Sequence, residues 1–579
     1  MRLKFVEFST PDGQRSAFLA LPDGAYDENW KSSCVTVLRE ADDEASVLAL
    51  IEQAGLARIV DEEKSVLGFP NPIGGKWDAQ GKDEMTADER FVQAFSSSAL
   101  PSGFYSEGWR VMGDVHYMIG VGSGARLAQI LTALYPTNGL AAAVCTVGGG
   151  LPDEVLAKAT GSPVPAYLLD CPEKTAAYYI AANEAKPLGG GKYVCDHNAM
   201  QRVRLCGKTA LDREAGKIAW DEFFRVIRRV NTSPYGDVDR RIIPEECNFE
   251  WHTDDARLGD NGGMAHSWIE HCPDCVRKSG KKVPLVIFSH GMSDNPLKAA
   301  DMIKIHEIGE REGFVSVYTF ASNHYGWNLA LDPAQADDMA YYEALIAYLC
   351  EKYPIDTTRI YLSGFSNGAG MAMTYAMHHP AQIAAIFPVD SAFPYAAMGR
   401  MRFAPSEPYL KPVPVPGEQR TAPSRLRGND PDRMFKALDS ALAENTRGLK
   451  MPVMYFYGTR ESEYPIGPGG NQELSYNFWK KFNGIEQAPS VEGLQPDSVG
   501  VPGQKIETIF PDPAHPNHSY GKHTFFAEND PALDYYNLLL MHGKAHEVHP
   551  AERELGWAFV SRFRRNPDGS LTDMGAEKK

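Results

Sequence analysis

The sequence predicts an α/β fold of two tandem domains with mostly parallel sheets, and three observations carry the prediction. The chain has 579 residues, short apolar runs alternate with amphipathic stretches along it, and a set of motifs recurs in the same order in both halves. A chain of this length exceeds what one hydrophobic core fills, so at least two domains are expected. Apolar strand-like runs separated by helix-like stretches are the pattern of a parallel sheet covered on both faces. Hydrophobic residues make up 43% and charged residues 23%, the range of ordinary globular proteins rather than disordered or fibrous ones.

The recurrence sets the domain count. Tyr361-Leu-Ser-Gly-Phe-Ser-Asn-Gly-Ala-Gly-Met-Ala372 answers to Tyr117-Met-Ile-Gly-Val-Gly-Ser-Gly-Ala-Arg-Leu-Ala128 at an offset of 244. Leu285-Val-Ile-Phe-Ser-His290 answers to Val35-Thr-Val-Leu-Arg-Glu40, and Gly326-Trp-Asn328 to Lys76-Trp-Asp78, both at 250. Pro452-Val-Met-Tyr-Phe-Tyr457 matches Pro165-Ala-Tyr-Leu-Leu-Asp170 at 287, and the terminal Trp557–Arg565 matches Trp220–Arg229 at 336 to 337. A shared order with a growing offset is what insertions on one scaffold produce. The domains are therefore expected at 1–235 and 240–579, joined near Ser233-Pro-Tyr-Gly-Asp-Val238. The second carries insertions at 391–448 and 484–540, whose proline- and arginine-rich stretches, such as Arg400–Arg427, read as lid or rim material.

The second half carries the chemistry. Ile360–Gly364 reads as a strand and Gly370–His378 as a helix, with Gly364-Phe-Ser366-Asn-Gly368 between them. Small residues on both sides of a serine permit a strained strand-to-helix turn that exposes the hydroxyl, so Ser366 is the expected nucleophile. Upstream, the apolar run to His290-Gly291-Met292 ends in a turn able to aim a backbone N–H at a developing oxyanion. Met292 and Asn367 are the expected donors. His290 precedes the serine in chain order and reads as a turn-shaping residue rather than the base.

The run Met451–Gly458 feeds into Glu461 and Glu463, either of which is able to orient a catalytic imidazole from a strand end. Glu461 is the first choice and Glu463 the reserve. The base is expected just before the last helix, where His542, His546 and His549 offer themselves. His546 is chosen over His549, and His542 reads as the cap of a preceding helix.

From about residue 240 to 565 the chain resembles the α/β-hydrolase esterase family that includes polyhydroxybutyrate depolymerases, feruloyl esterases and acetylxylan esterases. The residues carrying the resemblance are Pro284–Gly291, Gly313–Tyr318, Gly326–Asn328, Asp337-Asp338, Tyr353–Tyr361, the serine turn, and Tyr457-Gly-Thr-Arg-Glu461. The resemblance implies a serine esterase working through an acyl-enzyme, with no cofactor and a small-molecule or oligomeric ester as partner. The family usually has aspartate where Glu461 stands, commonly His-Gly-Thr where Tyr457-Gly-Thr459 stands, and cysteine where Met292 stands. Feruloyl-type or hydroxyalkanoate esters rank first as substrates and short acyl esters of carbohydrates next. Tyr325, Trp327, Phe393, Tyr464 and Trp479 are the aromatic residues expected near the mouth. A serine peptidase of the same fold and a non-catalytic binding scaffold stay open as alternatives.

The first half reads as a degenerate α/β-hydrolase-like copy. Gly122 stands at the nucleophile position, Glu40-Ala41 replaces His290-Gly291, and no histidine follows between His197 and Trp220. Its expected roles are packing against the catalytic domain, shaping its entrance or mediating homo-oligomers. The glycines Gly120, Gly122 and Gly124 lack the full dinucleotide-binding spacing, so no nucleotide is expected.

A formal net charge of −17 disfavours nucleic acid and anionic membranes as partners. The N-terminus alternates polar and apolar residues without the apolar core of a signal peptide, which predicts a cytoplasmic protein if Met1 is the start. Nine scattered cysteines argue against a disulfide framework. Cys272 and Cys275, with His266 and His271 before them, lack the second half of a zinc site, so no metal is expected.

Overall fold

The structure is a computed structural model and describes residues 1–24, 32–99, 111–136, 141–230, 236–259, 266–391, 409–413, 431–461, 471–485, 503–511, 518–526 and 534–575. The chain divides into two compact units, Met1–Ile243 with Ala404–Arg420, and Pro244–Phe403 with Thr421–Lys579. The first unit closes beyond the expected joint because Ile227–Arg229 pairs with Val238–Arg240, which draws the linker's far side into that unit.

In the first unit the strands Val66–Pro70, Cys34–Leu38, His116–Val121, Ala143–Val147, Ala166–Leu169 and Arg202–Cys206 form a parallel core. The antiparallel pair Arg2–Thr10 and Gly13–Leu21 flanks one side. The core strands are buried throughout from Cys34 to Leu38 and from Ala143 to Val147, as sheets covered on both faces require. One short strand, Lys411–Pro412, comes from far along the chain and pairs with Phe8 and Ser9 at the outer edge.

The second unit repeats the plan. Its parallel core runs through Val315–Thr319, Val283–Ser289, Ile355–Phe365, Ala385–Val389, Val453–Gly458 and Tyr536–Met541. Glu250–Asp255 and His266–His271 extend one side antiparallel, and Tyr520–Phe525 with Lys505–Ile509 extend the other. Part of the segment expected as lid is thus a sheet edge. In the other insertion, Met434, Ala437, Leu438 and Ala441 of the helix Pro431–Glu444 join the main hydrophobic core. Of Arg400–Arg427, expected as lid or rim material, all but residues 409–413 lie outside the described residues.

Paired details recur in the two units. Tyr117 Oη donates to the Ile227 carbonyl at 2.7 Å and Tyr361 Oη to the Phe563 carbonyl at 2.8 Å. Arg229 donates to three carbonyls, of Ala141, Gly236 and Pro163, and Arg565 to three, of Ile383, Gly569 and Lys450. Among the described residues no helix is long and apolar enough to cross a membrane.

Candidate active site

The strand Ile355–Phe365 runs into the helix Asn367–His378 through Ser366, which holds φ 53° and ψ −120°. A serine in this left-handed region is strained, and the surroundings hold it there. Its N–H donates to the Val389 carbonyl at 2.9 Å. Glycine on both sides is obligatory. A Cβ on Gly364 would lie 2.5 Å from the Gly368 backbone, and one on Gly368 would lie 2.2 Å from the Ser289 carbonyl.

The turn after Val283–Ser289 is fixed by two buried side chains. His290 Nδ1–H donates to the Gly291 carbonyl at 2.5 Å, and Nε2 accepts from the Ala321 N–H at 3.0 Å. Both ring nitrogens are used and burial drives the imidazole pKa down to about 4, so His290 is a neutral wedge. Trp327 is 1% exposed and its indole N–H donates to the His290 carbonyl at 3.0 Å. That burial corrects its expected place at the substrate mouth: Trp327 packs beneath the turn. Trp479 is core as well, with no exposed surface.

The loop carrying Tyr325 and Trp327 is fastened by Asp338, whose carboxylate accepts from Ser322 Oγ at 2.8 Å and the Asn328 N–H at 2.8 Å. Burial pushes this carboxyl up to about 6 against those hydrogen bonds. The Tyr325 carbonyl in turn accepts from the Ser293 N–H at 2.7 Å, pinning the chain just past Met292. Met292 is 40% exposed. Asn367 Oδ1 accepts from the Trp327 N–H at 2.6 Å, so the helix start and the turn are joined. Neither the Met292 nor the Asn367 N–H meets an acceptor among the described residues.

The expected base and acid meet. His546 Nδ1 hydrogen-bonds Glu461 Oε2 at 2.6 Å, and the His546 ring packs on Phe365, the neighbour of Ser366, at 4.7 Å between centroids. Backbone contacts explain the meeting: the Arg460 N–H donates to the Lys544 carbonyl at 2.9 Å and the Gly543 N–H to Thr459 Oγ1 at 2.7 Å. Gly458 permits the approach, since a Cβ there would lie 2.0 Å from the Lys544 carbonyl.

His549 has a different place, as N-cap of the helix Pro550–Val560. Its Nδ1 accepts from the Ala551 N–H, and Glu552 returns a bond to its backbone N–H. His542 is exposed and follows the strand Tyr536–Met541, not a helix, so it caps none. Glu463, Phe393 and Tyr464 lie outside the described residues.

Sequence reasoning missed one buried group here. Asp390 ends the strand Ala385–Val389 at φ 44°, and its ligand-type atoms lie within 4.8 Å of those of Glu461 and His546. Asp390 Oδ2 accepts from Lys544 Nζ at 2.8 Å, and Lys544 Nζ also donates to Glu552 Oε1 at 2.7 Å. Burial pushes the Asp390 carboxyl up, against the pull of Lys544. A carboxylate closing an apolar strand was the available signal, the same one that selected Glu461. Elsewhere, His266 stacks on Tyr341, His271 pairs with Glu310, Cys272 is buried and Cys275 exposed.

The first unit repeats the turn with a glycine at its tip. Gly122 takes φ 61° and ψ −125° before the helix Ser123–Leu134. The strand ladders correct the correspondence by one residue. Leu38 lies opposite Gly120 and Ser289 opposite Gly364, so Arg39 stands where His290 does and Glu40 where Gly291 does. Short apolar strands match at neighbouring offsets, and only hydrogen-bond register separates them. Glu40 Oε1 accepts from the Ser123 N–H at 2.9 Å, the counterpart of the Asn367 N–H, and this bond holds the carboxyl below its usual range. Ser123 Oγ accepts from the Trp77 N–H at 3.2 Å.

Residues 274–397 match the family Esterase PHB depolymerase. That match lies in the C-terminal half and includes the Ser366 turn. A bifunctional acetylxylan esterase/xylanase, XynS20E of Neocallimastix patriciarum, is 32% identical over 124 residues, which is 21% of this chain and 18% of that relative's length. Among solved structures, the acetyl xylan esterase from Aspergillus awamori aligns at 14% identity and a TM-score of 0.35, over 54% of this chain and 99% of that one. Est1E from Butyrivibrio proteoclasticus aligns at 15% identity and 0.31, over 54% and 96%.

Proposed function

We propose that the second unit is a serine carboxylic ester hydrolase in which Ser366 is the nucleophile, His546 the base and Glu461 the acid. The observation that carries the reading is the 2.6 Å bond from His546 to Glu461 beside the Ser366 turn. With Nδ1 held by Glu461, Nε2 is the nitrogen left to take the proton of Ser366 as Oγ attacks the ester carbonyl. The oxyanion is received by the Met292 and Asn367 N–H groups, the second at a helix N-terminus whose partial positive charge favours it. His546 then protonates the departing alkoxide, and a water deprotonated by His546 releases the acid from the acyl-enzyme.

For the acyl group, burial of Trp327 and Trp479 removes much of the aromatic argument for an aryl substrate. The similarity to a protein named acetylxylan esterase favours a short acyl ester on a carbohydrate. Rates on acetylated xylan, methyl ferulate, a 3-hydroxybutyrate ester and a p-nitroanilide separate the classes. Turnover of the acetyl ester, absent in Ser366→Ala, is the expected result. Anilide cleavage alone would turn the reading into a peptidase, and no turnover of any arm would turn it into a scaffold.

A further inference from the structure

The loop that bears His546 is held from beneath by charge. Lys544 and Glu547 bracket the histidine, and both meet Asp390. Lys544 Nζ donates to Asp390 Oδ2 at 2.8 Å and to the Glu547 carbonyl at 2.7 Å, while the Glu547 N–H donates to the same Asp390 oxygen at 3.0 Å. Glu552 completes the group from the next helix, accepting from Lys544 Nζ and from the His549 N–H. Asp390, Lys544 and Glu552 have no exposed surface.

A lone ion pair on a surface adds little, but a fully buried one is a geometric constraint, because breaking it strands a charge in a low-dielectric interior. We infer that Asp390 and Lys544 are positioning residues for the base: they fix the loop so that His546 faces Ser366 while Glu461 holds its far nitrogen. The inference rests on the reading of His546 as the base. Among the described residues nothing comparable holds in the first unit, where Gly148 takes the place of Asp390: Val147 lies opposite Val121 as Val389 lies opposite Phe365.

Among the described residues the charged groups beside His546 are Glu461, which bonds its ring, and Asp390, behind which stand Lys544 and Glu552, with Glu547 next in the chain. Removing one charge at a time shifts the base in opposite directions. Asp390→Asn keeps an acceptor for the Glu547 N–H and removes a negative charge, so the acid limb of the kcat/KM profile moves to lower pH. Lys544→Gln removes a positive charge, so that limb moves to higher pH.

The experiment measures pH profiles and separate kcat and KM values for p-nitrophenyl acetate, with thermal melts of each variant. Expected are kcat losses of about tenfold or more in both variants with KM within about threefold, and acid limbs displaced in those opposite directions. Folded variants with wild-type kcat and an unmoved limb overturn the inference. If Asp390→Asn does not fold, Lys544→Gln carries the test, and loss of fold in both marks the cluster as structural only and overturns it too. Failure of the base reading looks different: His546→Ala would itself retain activity.

Discussion

At the residue scale the order of the three histidines decides the mechanism, and the geometry separates them. His546→Ala should lower kcat/KM for a p-nitrophenyl ester by at least about three orders of magnitude. His549→Ala should leave the rate within about threefold while costing about 1 kcal/mol of stability, since it removes a helix cap and not a base. The reverse ranking of the two rates would move the role to His549. Chain order and a loop before the last helix singled out His546 and Glu461 in the sequence, and the structure brings those two side chains together. Asp390 carried the same strand-end signal as Glu461, but its burial was not legible, since nothing local distinguishes a buried strand-end carboxylate from a solvated one. His290 yields a second test. Its folded pKa of about 4 lies below the ordinary imidazole value of 6.5, so its neutral form stabilises the fold fully above that value and the contribution is lost as pH falls toward 4. A His290→Gln variant should therefore lose less stability than wild type between pH 6.5 and 4 in urea titrations; equal losses would show that His290 does not titrate with unfolding.

At the element scale, strand, turn and helix around Ser366 and Gly122 were readable because glycine spacing reports backbone crowding. The register of Cys34–Leu38 was not, and the one-residue correction came from the ladder itself. Crowding also sets the outcome of putting a serine at Gly122. A Cβ there would lie 2.7 Å from Glu40 Oε1, and the turn holds φ 61°. Gly122→Ser in a Ser366→Ala background should restore no hydrolysis of p-nitrophenyl acetate and should destabilise the first unit by about 1–3 kcal/mol. Any clear gain over Ser366→Ala would show that a base exists there. In the second unit, Gly368→Ala should be worse, about 3 kcal/mol or more, because the Cβ meets the Ser289 carbonyl rather than a movable side chain.

At the scale of the whole molecule, composition and recurrence gave two units, but not the return of residues 404–420 to the first. Leu410 is 5% exposed and joins the core that contains Phe8, while Tyr409 Oη donates to Asp12 Oδ2 at 2.6 Å. Such a crossing leaves no compositional trace, because two paired residues are too short for a periodic signal. Leu410→Asp, far along the chain, should speed amide exchange in the strand Arg2–Thr10; unchanged exchange would show that the edge strand adds nothing to that unit. Cleavage of esters by the second unit through an acyl-enzyme on Ser366 is tested by intact-mass and peptide mass spectrometry after treatment with a fluorophosphonate: one adduct per chain, on Ser366, with loss of esterase activity in step with labelling is the expected result, whereas an adduct on another residue, or full inactivation with Ser366 unmodified, would overturn the mechanism.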